Sequence, residues 1–449
     1  MNQTAGSSRR AFLGALTAAS YGRVLGANER IQIGFIGCGL IGLRHIADFK
    51  KLPDAALAAV CDVYRPRVEN AQAQCGSSPK AYGDFRKLLE DKDIDAVVIS
   101  TPDHWHALQT IMACAAGKDV YVEKPLSLFV KEGRWMVTAA RRYKRVVQVG
   151  TQGRSAPHCA EAAELIRSGS LGKVHTVRVG GFRNVMPGFG NPPDSDPPPG
   201  LDYDLWLGPA PRRPYNPNRA LYNFRWFWDY SGGQMTNLGA HDLDWAFLLL
   251  GVKAPLAVAS SGGRFALQDN GETPDTQDAV FEFPGFTALV SWREASGGRR
   301  QGGGTELFGT NGSMVIGRGG YEVIPDMNTP AQRQIPAWSL PPGHPTAPNA
   351  APSPRTQARK YQAPDPEPTL AHAQNFLDCI KFRKAPNADV EDGHRVTTAC
   401  HLANISLRVG RKLRWDPDKE EIIGDKEAAA QLVRPYRHPW DEVLRSLRL

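Results

Sequence analysis

The stretch GFIGCGLIG (34–42) sets Gly37, Gly39 and Gly42 in the GxGxxG spacing. Such a run cradles a nucleotide pyrophosphate where a strand ends and a helix begins. Gly37 permits the tight turn, Gly39 lets backbone amides approach the phosphates, and Gly42 lets strand and helix pack closely. The helix start, with Leu40 and Ile41, turns its partial positive charge toward the phosphates. Asp62 stands twenty residues after Gly42, at the end of the next apolar run, where a carboxylate can bond the adenosine ribose hydroxyls. An acid there repels a 2′-phosphate and favours NAD over NADP, while Arg65 nearby keeps NADP open.

Four further stretches carry groups able to bind ligands or move protons. STPDHWHA (100–107) follows another apolar run. In such sheets ligands bind at the carboxyl edge, so Thr101, Pro102 and His106 are expected along the cofactor cleft. His104 and His106 lack a Cys, Asp or His cluster at ligand spacing, and no metal is expected. VEKPLS (122–127) joins a carboxylate (Glu123), an ammonium (Lys124) and a rigid turn (Pro125), a pattern that a surface ion pair would also give. SGGQMTNLGAHDLD (231–244) leads through glycines into a helix bearing His241. On one helix, Asn237 lies a turn before His241 on the same face, with Asp244 three residues beyond it. A satisfied core histidine is the ordinary alternative. YNFRWFWDY (222–230) packs aromatics with Arg225 and Asp229. It is a core segment or a platform for a sugar ring, with Arg225, Trp228, Asp229 and Asp244 as candidate substrate residues.

These residues need a scaffold that gathers them. Between Ile31 and Gly150, IQIGFI, LAAVC, DAVVIS, DVYV and VVQV have the composition of buried strands. Helical patterns over 42–51, 65–75, 105–116 and 127–143 alternate with them, which predicts a doubly wound parallel sheet. After Gly150, VHTVRVG, DAVFEF and FTALVSW alternate strictly, as antiparallel strands with one exposed face do. Helices are expected over 158–168, 238–250, 369–383 and 393–409. The expected fold is α/β, with a nucleotide-binding domain over 28–150 and an α+β domain over 151–449. The proline-rich stretches 191–200 and about 324–368 are expected as loops or arms.

The chain has 449 residues and a formal net charge of +8. Its basic residues are scattered without a long run, which argues against nucleic acid as a partner. Seven cysteines, none in a CxxC pair, give neither a disulfide framework nor a zinc site; several lie in apolar runs as small core residues. Ser8-Arg9-Arg10-Ala11-Phe12-Leu13 resembles a twin-arginine signal, a label for export of folded cargo. The apolar stretch 11–25 is too short to span a bilayer, and Leu25-Gly26-Ala27 is a tolerable cleavage site. Removal of residues 1–27, the twin-arginine machinery as partner and a periplasmic location are expected.

In their order, GFIGCGLIG, the TP of STPDHWHA, VEKP and GGQMTNLGAHDLD resemble the Gfo/Idh/MocA family, named for glucose–fructose oxidoreductase and inositol dehydrogenase. The likeness runs from about Ile31 into the C-terminal region. It implies a Rossmann domain paired with a domain on an open, mostly antiparallel sheet, and a homo-oligomer formed through that sheet. It also implies NAD(P)-dependent chemistry on a secondary alcohol of a sugar, glycoside or polyol. Lys124 corresponds to the family's catalytic lysine and His241 to its proton-transferring histidine, with Glu123 and Gln152 positioning the nicotinamide end. Asn237 replaces the aspartate of inositol-dehydrogenase-like members, and the Pro-rich stretch has no counterpart in the simpler ones. Some exported relatives hold their cofactor permanently, and tight NAD retention is expected here. The alternatives are a redox-neutral glycosidase, working by oxidation, elimination and reduction, and a non-catalytic NAD-binding sensor or scaffold.

Overall fold

Six parallel strands form the first sheet, in the order β3-β2-β1-β4-β5-β6. They are β1 (Ile31–Ile36), β2 (Ala55–Cys61), β3 (Lys80–Tyr82), β4 (Ala96–Ile99), β5 (Asp119–Val122) and β6 (Val147–Val149). The computed structural model describes residues 30–447 except 77, 299–303, 329–336, 340, 344–351 and 365. The twin-arginine segment lies outside the described residues. Val, Ile and Ala dominate β4 and β5 because both faces of a parallel sheet are covered; Val97, Val98 and Val120 have no solvent exposure. The covering helices are α1 (Leu40–Phe49), α2 (Arg65–Cys75), α3 (Phe85–Glu90), α4 (Asp103–Ala115) and α5 (Val130–Arg142). β3 and α3 were not expected. β3 is a three-residue edge strand, mostly exposed, and too short to leave a hydrophobic period.

The second sheet has ten strands, in the order β14-β13-β12-β11-β7-β10-β9-β8-β15-β16. β7 (Val174–Phe182) and β10 (Phe286–Arg293) pair in parallel at its centre, and the other pairs are antiparallel. The remaining strands are β8 (Ala257–Gly263), β9 (Thr276–Phe283), β11 (Gly304–Gly309), β12 (Gly312–Gly317), β13 (Gly320–Pro325), β14 (Arg359–Gln362), β15 (Leu413–Asp416) and β16 (Glu421–Ile422). β14 places an edge strand inside the proline-rich stretch that was expected to be irregular. Within TQDAVFEF, Ala279, Phe281 and Phe283 point inward while Asp278, Val280 and Glu282 face out. The inner face packs on α6 (Pro157–Arg167), α9 (Gly239–Leu250) and α11 (Val390–Val409). The helix expected over 238–250 begins earlier and is in two pieces, α8 (Gly233–Asn237) and α9, which meet at Leu238. α7 (Tyr203–Leu207) and α10 (Thr369–Phe382) complete the elements that reach the site.

Later parts of the chain close over the first sheet. Phe376 on α10 meets Phe49 and Tyr121 edge-on, with ring centroids 6.4 and 5.9 Å away. A strap through α7 crosses the β2 edge: Arg65 N donates to Gly200 O and Asp202 N to Val63 O, both at 2.9 Å. Trp105 Nε1 donates to Trp206 O at 3.0 Å. The chain end pins the strap, with Arg437 Nε on Gly208 O at 2.9 Å and Tyr436 OH on Glu132 at 2.9 Å. Trp440 packs edge-on against Trp105 at 4.8 Å and stacks on Phe85 at 6.3 Å. Among the described residues no helix is long and apolar enough to cross a membrane, and no three His, Cys, Asp or Glu side chains gather as a metal site. Trp440→Ala removes a buried aromatic from this cluster and lowers the unfolding free energy by about 3–5 kcal/mol, measured by urea denaturation.

Candidate active site

Gly37 sits at φ +88°, and a Cβ there would stand 2.7 Å from the backbone of Ser100 and Thr101. A Cβ on Gly42 would stand 2.0 Å from Gly37 O, so the first turn of α1 lies directly on the loop. Asp62 is buried and bonded to that loop, accepting from Cys38 N at 2.8 Å and Tyr64 N at 2.9 Å. Burial raises its carboxyl, and the charge of Arg67 opposes this. The crevice at this edge is lined by Gly37, Gly39, Asp62, Arg67, Thr101 and Pro102, with Leu205 and Trp206 of the strap. Leu40, exposed, and Ile41, half-buried, start α1. A glycine cradle that any Cβ would fill, with a carboxylate beside it, fits a dinucleotide.

Two expectations change here. Arg65 does not line the crevice, being exposed and paired with Glu69 at 2.8 Å; the arginine that does is Arg67, whose Nη2 donates to Leu221 O at 3.2 Å. Its approach depends on the strap, which local spacing does not reveal. His106 is buried behind the cleft rather than lining it. Its Nδ1 lies 2.7 Å from Pro125 O and its Nε2 2.8 Å from Thr101 O, so it ties the two functional loops together. His104 is likewise buried, 2.9 Å from Trp206 O.

Beyond the cradle, β5 is followed by Glu123, which is 4% exposed. His45 Nε2 lies 2.8 Å from its Oε1, and Gln152 Nε2 donates to the same oxygen at 2.9 Å. Burial opposes its charge, but the hydrogen bond and charge of His45 prevail and hold the carboxyl below its ordinary value. Lys124 follows, with its Nζ donating to Asn237 Oδ1 at 2.7 Å and Asn237 O at 3.1 Å. Asn237 Nδ2 donates to Gln234 Oε1 at 2.9 Å, which fixes the amide with its oxygen toward the lysine. Asn237 thus serves Lys124 and not His241, because α8 and α9 break at Leu238.

His241 opens α9 and is half-buried, with no side-chain hydrogen bond among the described residues. Burial, then the charges of Lys124 and Arg318, push its imidazole well below the usual value, so it is uncharged at neutral pH. Burial pushes Lys124 down to about 8; Glu123 opposes this and Arg225 adds to it. At neutral pH the site therefore holds an ammonium donor and a neutral imidazole acceptor within electrostatic reach of each other, a pair suited to taking a proton from a hydroxyl. Asp242, beside His241, is pushed up to about 6 by burial, against the charges of Arg318 and Lys124. Neither Asp242 nor Arg318 was singled out from sequence.

Three proposed substrate residues are occupied elsewhere. Asp244 is buried in a bidentate pair with Arg154, at 2.7–3.0 Å. Asp229 is paired with Arg213 at 3.0 Å and Arg434 at 3.2 Å. Trp228 lies under Arg408, 5.4 Å from its guanidinium carbon. Arg225 alone of that set is coupled to Lys124.

Two outcomes follow from this geometry. Asp62→Asn weakens NAD binding by about tenfold or more and narrows the discrimination against NADP, measured by nucleotide fluorescence titration. Asn237→Asp puts a carboxylate on the Lys124 ammonium and favours its charged form. The alkaline limb of the kcat/KM profile, where Lys124 loses its proton, then moves upward by about one pH unit, while the acidic limb set by His241 moves less.

Residues 31–151 match the family described as "Oxidoreductase family, NAD-binding Rossmann fold". Residues 159–262 and 349–442 match its "C-terminal alpha/beta domain", and residues 211–315 match "GFO/IDH/MocA C-terminal domain". The chain is 28% identical over 289 residues to the myo-inositol 2-dehydrogenase of Thermotoga maritima, covering 63% of this chain and 74% of that protein. It is 37% identical over 125 residues to a glycosyl hydrolase family 109 protein of Shewanella sp., covering 26% of this chain and 27% of that protein. Its fold is similar to that of levoglucosan dehydrogenase in complex with NADH and levoglucosan, with a TM-score of 0.64, 19% identity and coverage of 86% and 99%. The chain belongs to the Gfo/Idh/MocA family of oxidoreductases, and its first sheet is the family's NAD-binding Rossmann domain.

Proposed function

We propose that this chain oxidises a secondary alcohol of a sugar, glycoside or polyol, and that it does so outside the cytoplasm with a retained NAD. The observation that carries the reading is the Lys124 ammonium, held by Asn237 just after β5, with an uncharged His241 within reach of its charge. His241 takes the hydroxyl proton. Lys124 holds the oxygen and stabilises its developing negative charge. Bound NAD supplies the hydride acceptor, so that the C–H and O–H bonds break as the carbonyl forms. Glu123 and Gln152 position the strand end beneath the reacting groups. The inositol and levoglucosan dehydrogenases named above support a carbohydrate-like substrate.

Retention and export rest on the SSRRAFLG stretch and on the strap over the crevice. A nucleotide enclosed beneath Leu205 and Trp206 would leave only when the strap lifts, which suits a compartment without a nucleotide pool. The outer face of the second sheet, with Val280 and Leu289 exposed, is the proposed oligomer contact. The test uses protein purified from the periplasm. Acid release should yield close to one nicotinamide nucleotide per chain, and Arg9→Lys with Arg10→Lys should leave folded, loaded protein in the cytoplasm. A panel of sugars, polyols and glycosides should then reduce the bound nucleotide. Aglycone release without net reduction would instead mark the redox-neutral glycosidase. An empty protein that responds only to added NAD would overturn retention, and a loaded protein inert to the whole panel would overturn the catalytic reading.

A further inference from the structure

The amide that holds Lys124 is itself held from behind. Lys124 Nζ donates to Asn237 Oδ1 at 2.7 Å and to Asn237 O at 3.1 Å. Asn237 Nδ2 donates to Gln234 Oε1 at 2.9 Å, and Gln234 Nε2 donates to Glu294 Oε1 at 2.6 Å. Gln234 and Glu294 are each 3% exposed, so the far half of this relay is shielded from water. Glu294 follows β10, and its backbone is fixed twice: its N donates to Asp275 O at 2.8 Å, and its O accepts from Val185 N at 2.9 Å. The start of α8 lies against the same region, where a Cβ on Gly233 would stand 2.8 Å from Thr273 Cβ. The relay thus joins Lys124, just after the first sheet, to a pinned residue at the end of a central strand of the second.

The two ends of the relay decide its sense. An ammonium has three donors and no acceptor, and a carboxylate has acceptors only. Each amide between them must turn its oxygen toward Lys124 and its NH2 toward Glu294. Reversing either one would set donor against donor or acceptor against acceptor, at the cost of unmade buried hydrogen bonds. Both amide dipoles therefore lie aligned between a cation and an anion. Arg183 Nη1 stands 3.8 Å from Glu294 Oε2, the oxygen that Gln234 does not use. Burial pushes the Glu294 carboxyl up, and Asp275 adds to this; the bond from Gln234 and the charges of Arg183 and Arg264 oppose it. Around Lys124, Glu123 and Asp103 favour the ammonium while Arg225 and Arg318 disfavour it, His241 is uncharged, and Asp242 feels the lysine charge. With two of its protons held by Asn237, the ammonium has one left for a reacting oxygen.

We infer that Glu294 is a positioning residue for Lys124: through Gln234 and Asn237 its carboxylate fixes the direction of the ammonium and helps to keep it charged. The inference rests on the reading of Lys124 as the group that holds the reacting oxygen, and its test is read without any substrate.

The test is competitive labelling of the full-length, cofactor-loaded protein with acetic anhydride, which acylates only the unprotonated amine. The extent of labelling of the Lys124 peptide is followed against pH by mass spectrometry. Glu294→Gln leaves Gln234 an acceptor but removes the charge, and should lower the pKa read at Lys124 by about half a unit or more. Gln234→Glu combined with Glu294→Gln keeps the net charge and every hydrogen bond of the relay, with the carboxylate one step nearer the lysine. That double variant should raise the pKa above the wild-type value, and it serves as the test should Glu294→Gln alone fail to fold, as judged by far-ultraviolet circular dichroism. A residue that merely supports the fold would move neither value in this pattern. A Lys124 pKa untouched by Glu294→Gln, or one that falls in the double variant as well, overturns the inference. Should the pKa move as expected while no carbohydrate reduces the bound nucleotide, the relay stands and the oxidation reading falls. Should carbohydrate be oxidised while the pKa stays fixed, the relay falls alone.

Discussion

A carboxylate almost sealed from water holds the catalytic edge together. Glu123 keeps its charge in a place where an unpaired charge is costly, and it does so because its donors arrive from separate elements. His45 comes from α1, Gln152 from the turn after β6, and the amide of Lys124 from the next residue. A Cβ on Gly150 would stand 2.5 Å from Oε1, so the end of β6 is bare where it passes the carboxylate. His45 also packs edge-on against Tyr121, at 4.8 Å. The ends of β5 and β6 and the flank of α1 are thereby fixed relative to one another, and Lys124 leaves this knot in one direction.

Electrostatics then divides labour between two bases. An ammonium and an imidazole close together in a poorly solvated crevice both resist protonation, and the group with the higher intrinsic affinity keeps the proton. Lys124 stays charged into the mildly alkaline range while His241 stays neutral. An asparagine at position 237 orients the ammonium without adding negative charge, through a relay from Gln234 to Glu294 in which Gln234 Nε2 donates at 2.6 Å.

The glycine cradle was legible in the sequence because its chemistry is local: Gly37, Gly39 and Gly42 answer to a turn, an approach and a helix contact within nine residues. The strands of the first sheet were legible for a similar reason, since burial on both faces writes continuous apolar runs. What escaped detection depended on distant chain. Arg67 lines the cleft where Leu221 receives it, and the charge of Arg318, from the hairpin turn between β12 and β13, bears on His241 of the distant α9. Asp244 and Asp229 had the right residue type and the right neighbourhood, yet Arg154 and Arg434 had already claimed them. Sequence spacing shows which groups are near one another along an element but not which are already neutralised.

The pinning of the strap by the chain end has a consequence for biosynthesis. When the first 150 residues have left the ribosome, the strands of the Rossmann sheet can pair, and early domains often do fold as they emerge. The aromatic faces of Phe85 and Trp105 then still lack Trp440, and Glu132 still lacks Tyr436. The cradle is thus shaped early, roofed when Leu205 and Trp206 follow, and its strap is pinned last, by residues made almost three hundred positions later. During translation the strap over the nucleotide cleft therefore lies unpinned until Tyr436, Arg437 and Trp440 have been synthesised.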